Sequence, residues 1–332
     1  MNGQSQMPMR WDKMKWLSQA IAAFLYAFQP KRFGGLLNTL RILAAHRILP
    51  AELKRTVPEG SVALTSPEGL AGICPDLDLD TLMRGYRRGL FQMSHAGAFK
   101  WWAPKDRMVL FMDKLRLEKN LKRKLRQGRY SITIDKAFNQ VVAHCAGHRD
   151  YRNIQLTWIL PEVAEAFHEL HEAGHAHSVE VWNEDGELVG GLFGVSYGYV
   201  FATESQFSHG RDASKIAFAV LNRHLQKWGY VANDVRRWTS HLEKFGCAEI
   251  PRELFSLICS KFGKGDNWNT EWDVETDLCS GNWEPASETG WTEDAVVEAL
   301  IPNQDESLED PEITAFESEA APVEAIEMRD TG

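Results

Sequence analysis

Apolar and polar positions change period several times along the chain, and each change predicts an element. Tyr130-Ser131-Ile132-Thr133-Ile134 alternates with period two and reads as a strand. Asp135 follows where a helix cap belongs, ahead of a helix running to about Cys145. Pro161 is placed to start a further helix, which Gly174 ends. His177–Trp182 and Leu188–Val195 read as strands around Asn183–Gly186, whose Asp185-Gly186 pair signals a hairpin turn. Tyr199–Phe207 is a third strand, Asp212 opens a long helix through Trp228 that Gly229 stops, and Tyr230–Val235 returns as a strand. The order predicts a mixed α+β fold, a sheet with flanking helices.

Elsewhere the pattern is looser. Leu53–Leu110 is rich in turn residues (Pro58, Pro67, Gly69, Gly72, Pro75) around one helical run, Leu79–Gly89, and predicts a small domain with a modest core. Met1–Pro50 reads as two short basic helices broken at Pro30 and at Gly34-Gly35. Beyond Phe262 the aromatics thin out except for Trp268, Trp272, Trp283 and Trp291 while the charge turns negative, and disorder is expected for most of that stretch. The expected divisions are therefore residues 1–50, a basic helical extension; 51–110, a small domain; 111–262, the main domain; and 263–332, a tail.

Of the 332 residues 44% are hydrophobic and 25% charged, enough apolar material for one large core or two modest ones. The formal net charge of -9 hides an asymmetry: from Gly263 onward there are 20 acidic residues against two basic ones, leaving a body with 35 basic and 26 acidic. A positive body fits a polyanionic partner, nucleic acid or an anionic membrane surface, without choosing between them. Five scattered cysteines with no CxxC pair indicate neither a disulfide framework nor a zinc finger, so a reducing cytoplasm is the expected compartment. Ala20–Phe28 is far shorter than the roughly 20 apolar residues a spanning helix needs. It follows Arg10, Lys13 and Lys15, as a signal peptide would, but no small-residue cleavage site comes after it. Trp16, Ile21, Phe24, Leu25 and Phe28 could instead form one face of an amphipathic helix. Docking of that helix on its own domain is the favoured reading, with a peripheral membrane contact as the alternative.

His171 and His175 are four apart, but the surrounding HELHEAGHAH is not HExxH and Gly174 interrupts the helix between them, so capping and packing roles outweigh a metal site. Between Lys114 and Arg129 eight cations face a single acid, Glu118, a density that suits backbone phosphates better than base reading. Glu204 sits mid-strand between Phe201 and Phe207, where an unpaired carboxylate is costly to bury, and Asp234 stands at the end of a later strand. No GxxxxGK[ST] loop and no GxSxG elbow is present, which disfavours ATP, coenzyme A and serine-hydrolase readings.

Several separated motifs resemble those of bacterial leucyl/phenylalanyl-tRNA–protein transferases: HELHEAGHAHSVEVW (His168–Trp182), GELVGGLFGVSYG (Gly186–Gly198), ESQFSHGRDASKIA (Glu204–Ala217), RGYRRGLF (Arg84–Phe91), WWAP (Trp101–Pro104), Thr157-Trp158-Ile159, His241-Leu242, Phe245-Gly246 and EIPR (Glu249–Arg252). The resemblance covers roughly Leu64–Phe262. It implies a GNAT-like acyltransferase domain preceded by a small N-terminal domain. The implied reaction is attack by an acceptor protein's α-amino group on the ester of an aminoacyl-tRNA, with no separate cofactor. The implied partners are aminoacyl-tRNA and an acceptor N-terminus, for a protein expected to be a monomer.

Carried over residue by residue, the resemblance gives a catalytic set of Asp234, which would orient or deprotonate the amine, Glu204 beside the reacting centre, and Arg236. Trp158 would line the 3′-aminoacyl-adenosine pocket and Leu192 the amino-acid side chain, with Met93, Gln206, Leu221 and Leu225 completing the substrate-binding set. Lys119, Lys122, Arg123, Lys124 and Arg126 would meet the tRNA acceptor stem. Three features depart from the family pattern. Phe91-Gln92-Met93 replaces Phe-Pro-Trp, Leu221 and Leu225 replace aromatics, and Asp234-Val235-Arg236 replaces Asp-Cys-Gln. A guanidinium cannot accept a hydrogen bond as the glutamine amide can, and it repels an N-terminal Lys or Arg. The chain is therefore expected to be a divergent member with an altered acceptor or donor preference.

Overall fold

In a computed structural model, which describes residues 13–27, 33–95, 97–147, 149–150, 155–264, 271–280 and 291–301, the chain opens with helices α1 (Lys13–Ala27), α2 (Phe33–Ile48) and the short α3 (Ala51–Lys54). The break expected at Pro30 lies outside the described residues. The one expected at Gly34-Gly35 does not occur: both glycines fall in the first turn of α2, whose amides lack intrahelical partners in any case. Gly35 lets this turn sit against Pro67, whose ring a β-carbon there would meet at 3.3 Å. A three-stranded antiparallel sheet follows, in the order β1 (Leu70–Ile73), β3 (Lys100–Trp102), β2 (Phe91–Gln92), with α4 (Leu79–Arg87) between its first two strands. Asp78 caps α4 by accepting from the Thr81 amide at 2.8 Å.

The strand-patterned segments join one seven-stranded sheet. Its strands are β4 (Asp106–Phe111), β5 (Ser131–Ile134), β8 (Ala176–Trp182), β9 (Leu188–Tyr197), β10 (Val200–Ser208), β11 (Ala232–Arg236) and β12 (Ala248–Pro251), in the order β12-β4-β11-β10-β9-β8-β5. The two-stranded ribbon of β6 (Arg149–Asp150) and β7 (Gln155–Leu156) stands apart. All neighbours in the large sheet are antiparallel except β10 and β11, which the crossover helix α8 (Ala213–Lys227) makes parallel.

Alternation sends side chains to two separate cores. One, with Val109, Phe111, Phe193, Val195 and Ala202, lies under α4, α6 (Phe138–Cys145), α7 (Pro161–Glu172) and α10 (Arg252–Phe262). The other, with Leu110, Val179, Leu192 and Phe201, lies under α5 (Lys119–Gln127), α8 and α9 (Ser240–Glu243). Helix α5 turns Leu121 and Leu125 inward and its cations outward, and Gly128, at φ 60°, closes it. No described helix is long and apolar enough to cross a membrane.

Two aspartates read as caps do other work. Asp135 takes φ 57°, and its carboxylate accepts from the Ser178 amide and pairs with His177 Nδ1, each at 2.7 Å, while α6 begins at Phe138 without a side-chain cap. Asp212 stands at the N-cap of α8 with φ 62°, yet its carboxylate pairs with Lys124 and, at 2.7 Å, with Lys215.

The acidic stretch expected to be disordered supplies two packed segments. Trp272 stacks on His177 (ring centroids 3.6 Å apart, 6° between planes), and Arg223 donates to the Leu278 and Ser280 carbonyls at 2.8 and 2.6 Å. Further on, α11 (Glu293–Ala299) buries Val296, and Trp291 packs edge-on against Phe262. Acidic residues of these segments pair with body lysines, Asp273 with Lys136, Glu275 with Lys227 and Glu293 with Lys114, and their attachment joins packing to charge.

Candidate active site

The ladder between β10 and β11 runs from Val200 opposite Ala232 to Ala202 opposite Asp234. Past that point each strand bulges against its outer neighbour. Glu204 is the extra residue between the pairs Thr203–Gly194 and Ser205–Phe193, and Val235 is the extra residue between Asp234–Val109 and Arg236–Met108. A bulge bends its strand and re-aims side chains. Two at one level let the parallel strands part, with Glu204 on one lip and Arg236 on the other. Below the split, Asn233 Oδ1 accepts from Thr203 Oγ1 at 2.9 Å and its amide nitrogen donates to Asn222 of α8 at 2.9 Å, tying both strands to the helix.

The Glu204 side chain is wholly buried. Its Oε1 accepts from the Tyr86 hydroxyl at 2.6 Å and touches the Arg236 guanidinium, while Oε2 has no hydrogen-bond partner among the described residues. Burial pushes the Glu204 carboxyl above its ordinary range, outweighing the pull of Arg236 and Tyr86 in the other direction. A buried carboxylate oxygen left open is expensive in a folded protein, and a ligand that donates to it recovers that cost.

Arg236 holds φ 69°, a left-handed backbone that costs a non-glycine residue on the order of 1–3 kcal/mol. Asp234 fixes it there: Oδ1 accepts from the Arg236 amide at 2.8 Å. The same carboxylate is held by Arg107, Nε to Oδ1 at 2.8 Å and Nη2 to Oδ2 at 2.6 Å, with both side chains at least 98% buried. Both Asp234 oxygens are thus taken, and the residue acts on the split through Arg236. The Arg236 guanidinium lies 4.4 Å from the Phe91 ring centre and 5.6 Å from that of Trp158. Phe91 also carries the Arg107 guanidinium, at 4.8 Å.

The structure therefore gathers Glu204, Asp234, Arg236 and Trp158. Met93 is half-buried beyond Phe91, its carbonyl accepting from Trp102 Nε1 at 2.9 Å. Leu192, Leu221 and Leu225 belong to the core on the opposite face of the sheet. Gln206 pairs with Leu192 in the ladder, and cross-strand partners share a face. Of the five cations expected to meet tRNA, Lys119, Arg123 and Arg126 are exposed on α5, Lys122 is half-buried, and Lys124 is committed to Asp212. The histidines pack: His171 lies flat on Phe138 at 4.1 Å and bonds the Ala176 carbonyl, and among the described residues no group of three or more His, Cys, Asp or Glu could hold a metal.

Sequence reasoning missed Tyr86 and Arg107 as site residues. Tyr86 shares the buried face of α4 with Leu82 and Met83, so its hydroxyl had to find a partner inside. Arg107 is a cation in the strand Asp106-Arg107-Met108-Val109-Leu110-Phe111, whose remaining residues after Asp106 are all buried, and such a cation implies a buried anion.

Fold and site together define an α+β protein with a buried carboxylate, one oxygen of it unpartnered among the described residues, at a strand split. Residues 109–259 match the family model described as leucyl/phenylalanyl-tRNA protein transferase. Leucyl/phenylalanyl-tRNA–protein transferases are similar to it at 45% identity over 195 residues in Azotobacter vinelandii (58% of this chain, 85% of that one) and 42% over 214 residues in Nitrosomonas eutropha (64% and 90%). Among solved structures, L-PGS from Bacillus licheniformis is similar over 55% of this chain and 56% of that one, at 11% identity and a TM-score of 0.29, too low to bear on function. The chain belongs to the leucyl/phenylalanyl-tRNA–protein transferase family.

Proposed function

We propose that this chain moves an amino acid of the leucine or phenylalanine type from aminoacyl-tRNA to the α-amino group of an acceptor protein, and that Arg236 turns acceptor preference toward acidic N-termini. In the reaction the amine nitrogen attacks the ester carbonyl, the bond from that carbon to the ribose oxygen breaks, and the proton lost by nitrogen ends on that oxygen. The ester is already activated, so the protein's task is to hold a neutral amine in line and take its proton in passing. The observation that carries this reading is the open Oε2 of Glu204 at the strand split. In this reading it accepts from the amine, while Tyr86 holds the other oxygen. Trp158 offers its ring to the nucleoside end of the donor, and the exposed cations of α5 meet its phosphates.

Acceptor choice follows from the fixed guanidinium. A first residue that is Lys or Arg brings a second cation toward Arg236, and like charges at an interface cost several kcal/mol, whereas an Asp or Glu side chain pairs with it. Peptides beginning with Lys, Arg, Asp and Glu, offered with charged tRNA, test this. The wild type prefers Asp and Glu, and Arg236→Gln shifts the ratio toward Lys and Arg by about 10- to 100-fold. Efficient wild-type transfer to Lys or Arg refutes the acceptor assignment.

A further inference from the structure

Helix α1 has two opposite sides. Gln19 is buried, and its amide nitrogen donates to the His95 and Thr157 carbonyls at 2.9 and 2.8 Å; seven residues on, Tyr26 meets the His95 ring edge-on at 5.3 Å. This side fastens α1 to the segment that carries Trp158. Met14, Leu17, Ile21 and Leu25 recur at helical spacing on the other side and are 79, 56, 53 and 54% exposed. Phe24, 59% exposed, borders this stripe, and Trp16, 62% exposed, stands on the side nearer Gln19. Helix α2 repeats the arrangement. Its inner side is held by Gly35 against Pro67 and by Asn38 Nδ2 donating to the Ser66 carbonyl at 2.7 Å. Leu37, Leu40, Ala44 and Ile48 are exposed at helical spacing, with Arg41 and Arg47 among them.

Runs of large apolar side chains on soluble surfaces mark interaction sites, and charge identifies the partner here. From Lys13 to Ala51 the sequence has no acidic residue and six cations, Lys13, Lys15, Lys31, Arg32, Arg41 and Arg47. A helix with an exposed apolar stripe and only basic charge is built to lie in the headgroup region of an anionic bilayer. We propose that α1 and α2 anchor this protein in the plane of an anionic lipid surface. Attachment of α1 through Gln19 to the Thr157 carbonyl then holds the Trp158 segment beside that surface.

The full chain is tested by sedimentation with phosphatidylcholine vesicles and with vesicles containing phosphatidylglycerol, at low and high salt. It sediments with the anionic vesicles, less so at high salt, and little with the neutral ones. The double variant Leu17→Glu/Ile21→Glu partitions at least roughly tenfold more weakly, while its transfer from charged tRNA to a soluble peptide and its circular dichroism stay at wild-type values. If the wild type stays in solution with anionic vesicles the proposal is overturned, whether the stripe then proves to hold a second copy, seen as a dimer that the double variant dissociates, or the chain's own acidic tail.

Discussion

Glu204→Gln lowers the rate of amino-acid transfer by about 10²- to 10⁴-fold, the range typical of losing a positioned general base, and leaves the affinity for charged tRNA within a few-fold of wild type. The substitution keeps the size of the side chain and an oxygen that can accept from Tyr86, so the fold around the split is retained. What it removes is the buried ionisable oxygen that has no partner among the described residues. The pH profile separates this role from a structural one. Burial raises the Glu204 carboxyl above the ordinary carboxylate range, and a base works only when deprotonated, so the wild-type rate climbs with pH through a limb displaced upward from that range. The variant's residual rate lacks that limb. The same shift has a sign for stability: the protonated form is favoured by folding, a contribution complete below the unfolded-state value and lost as pH rises through the folded-state value. A Glu204→Gln enzyme with an unchanged acid limb would assign the proton to another group.

Arg107→Met destabilises the fold by about 3–5 kcal/mol, because removing one partner of a buried ion pair leaves the other charge in the interior without compensation. The pair between Arg107 and Asp234 is enclosed, at 2 and 1% exposure. Asp234 loses both hydrogen bonds from the guanidinium and keeps the Arg236 amide. Urea unfolding followed by tryptophan fluorescence measures the loss as a fall in midpoint. Asp234→Asn provides the comparison. It keeps an acceptor for the Arg236 amide and removes the charge, so it loses stability for the same reason and slows transfer by loosening Arg236. A change below about 1 kcal/mol in both variants contradicts the account, since that is the scale of an exposed surface pair.

The sheet strands and their flanking helices were legible because period-two and helical patterns are strong where one face of each element is buried, as at Tyr130–Ile134 and through the hairpin at Asp185-Gly186. The two aspartates read as caps show a limit of local signals. Asp135 and Asp212 stand in left-handed backbone and spend their carboxylates on groups 42 and 88 residues away, His177 and Lys124. Arg107 shows another: its partner is 127 residues distant, and only the strand's burial tells that the cation has one. Glu204, Asp234, Arg236 and Trp158 were placed by resemblance and stand together. Leu192, Leu221 and Leu225, placed the same way, belong to the core on the other face of the sheet. The packed segments around Trp272 and Trp291 lay hidden in a stretch whose average charge argued for disorder, although four tryptophans there argued against it.

Central to the account is the transfer of an amino acid from its tRNA ester to a free amine. The purified full-length chain, incubated with tRNA carrying radiolabelled leucine or phenylalanine, is offered an acceptor peptide with a free N-terminus and the same peptide acetylated. Label is predicted in the free peptide alone, held by an amide that survives the mild alkali that cleaves the tRNA ester. Label that never leaves the tRNA for any of the four acceptor classes, Lys, Arg, Asp or Glu, would contradict it.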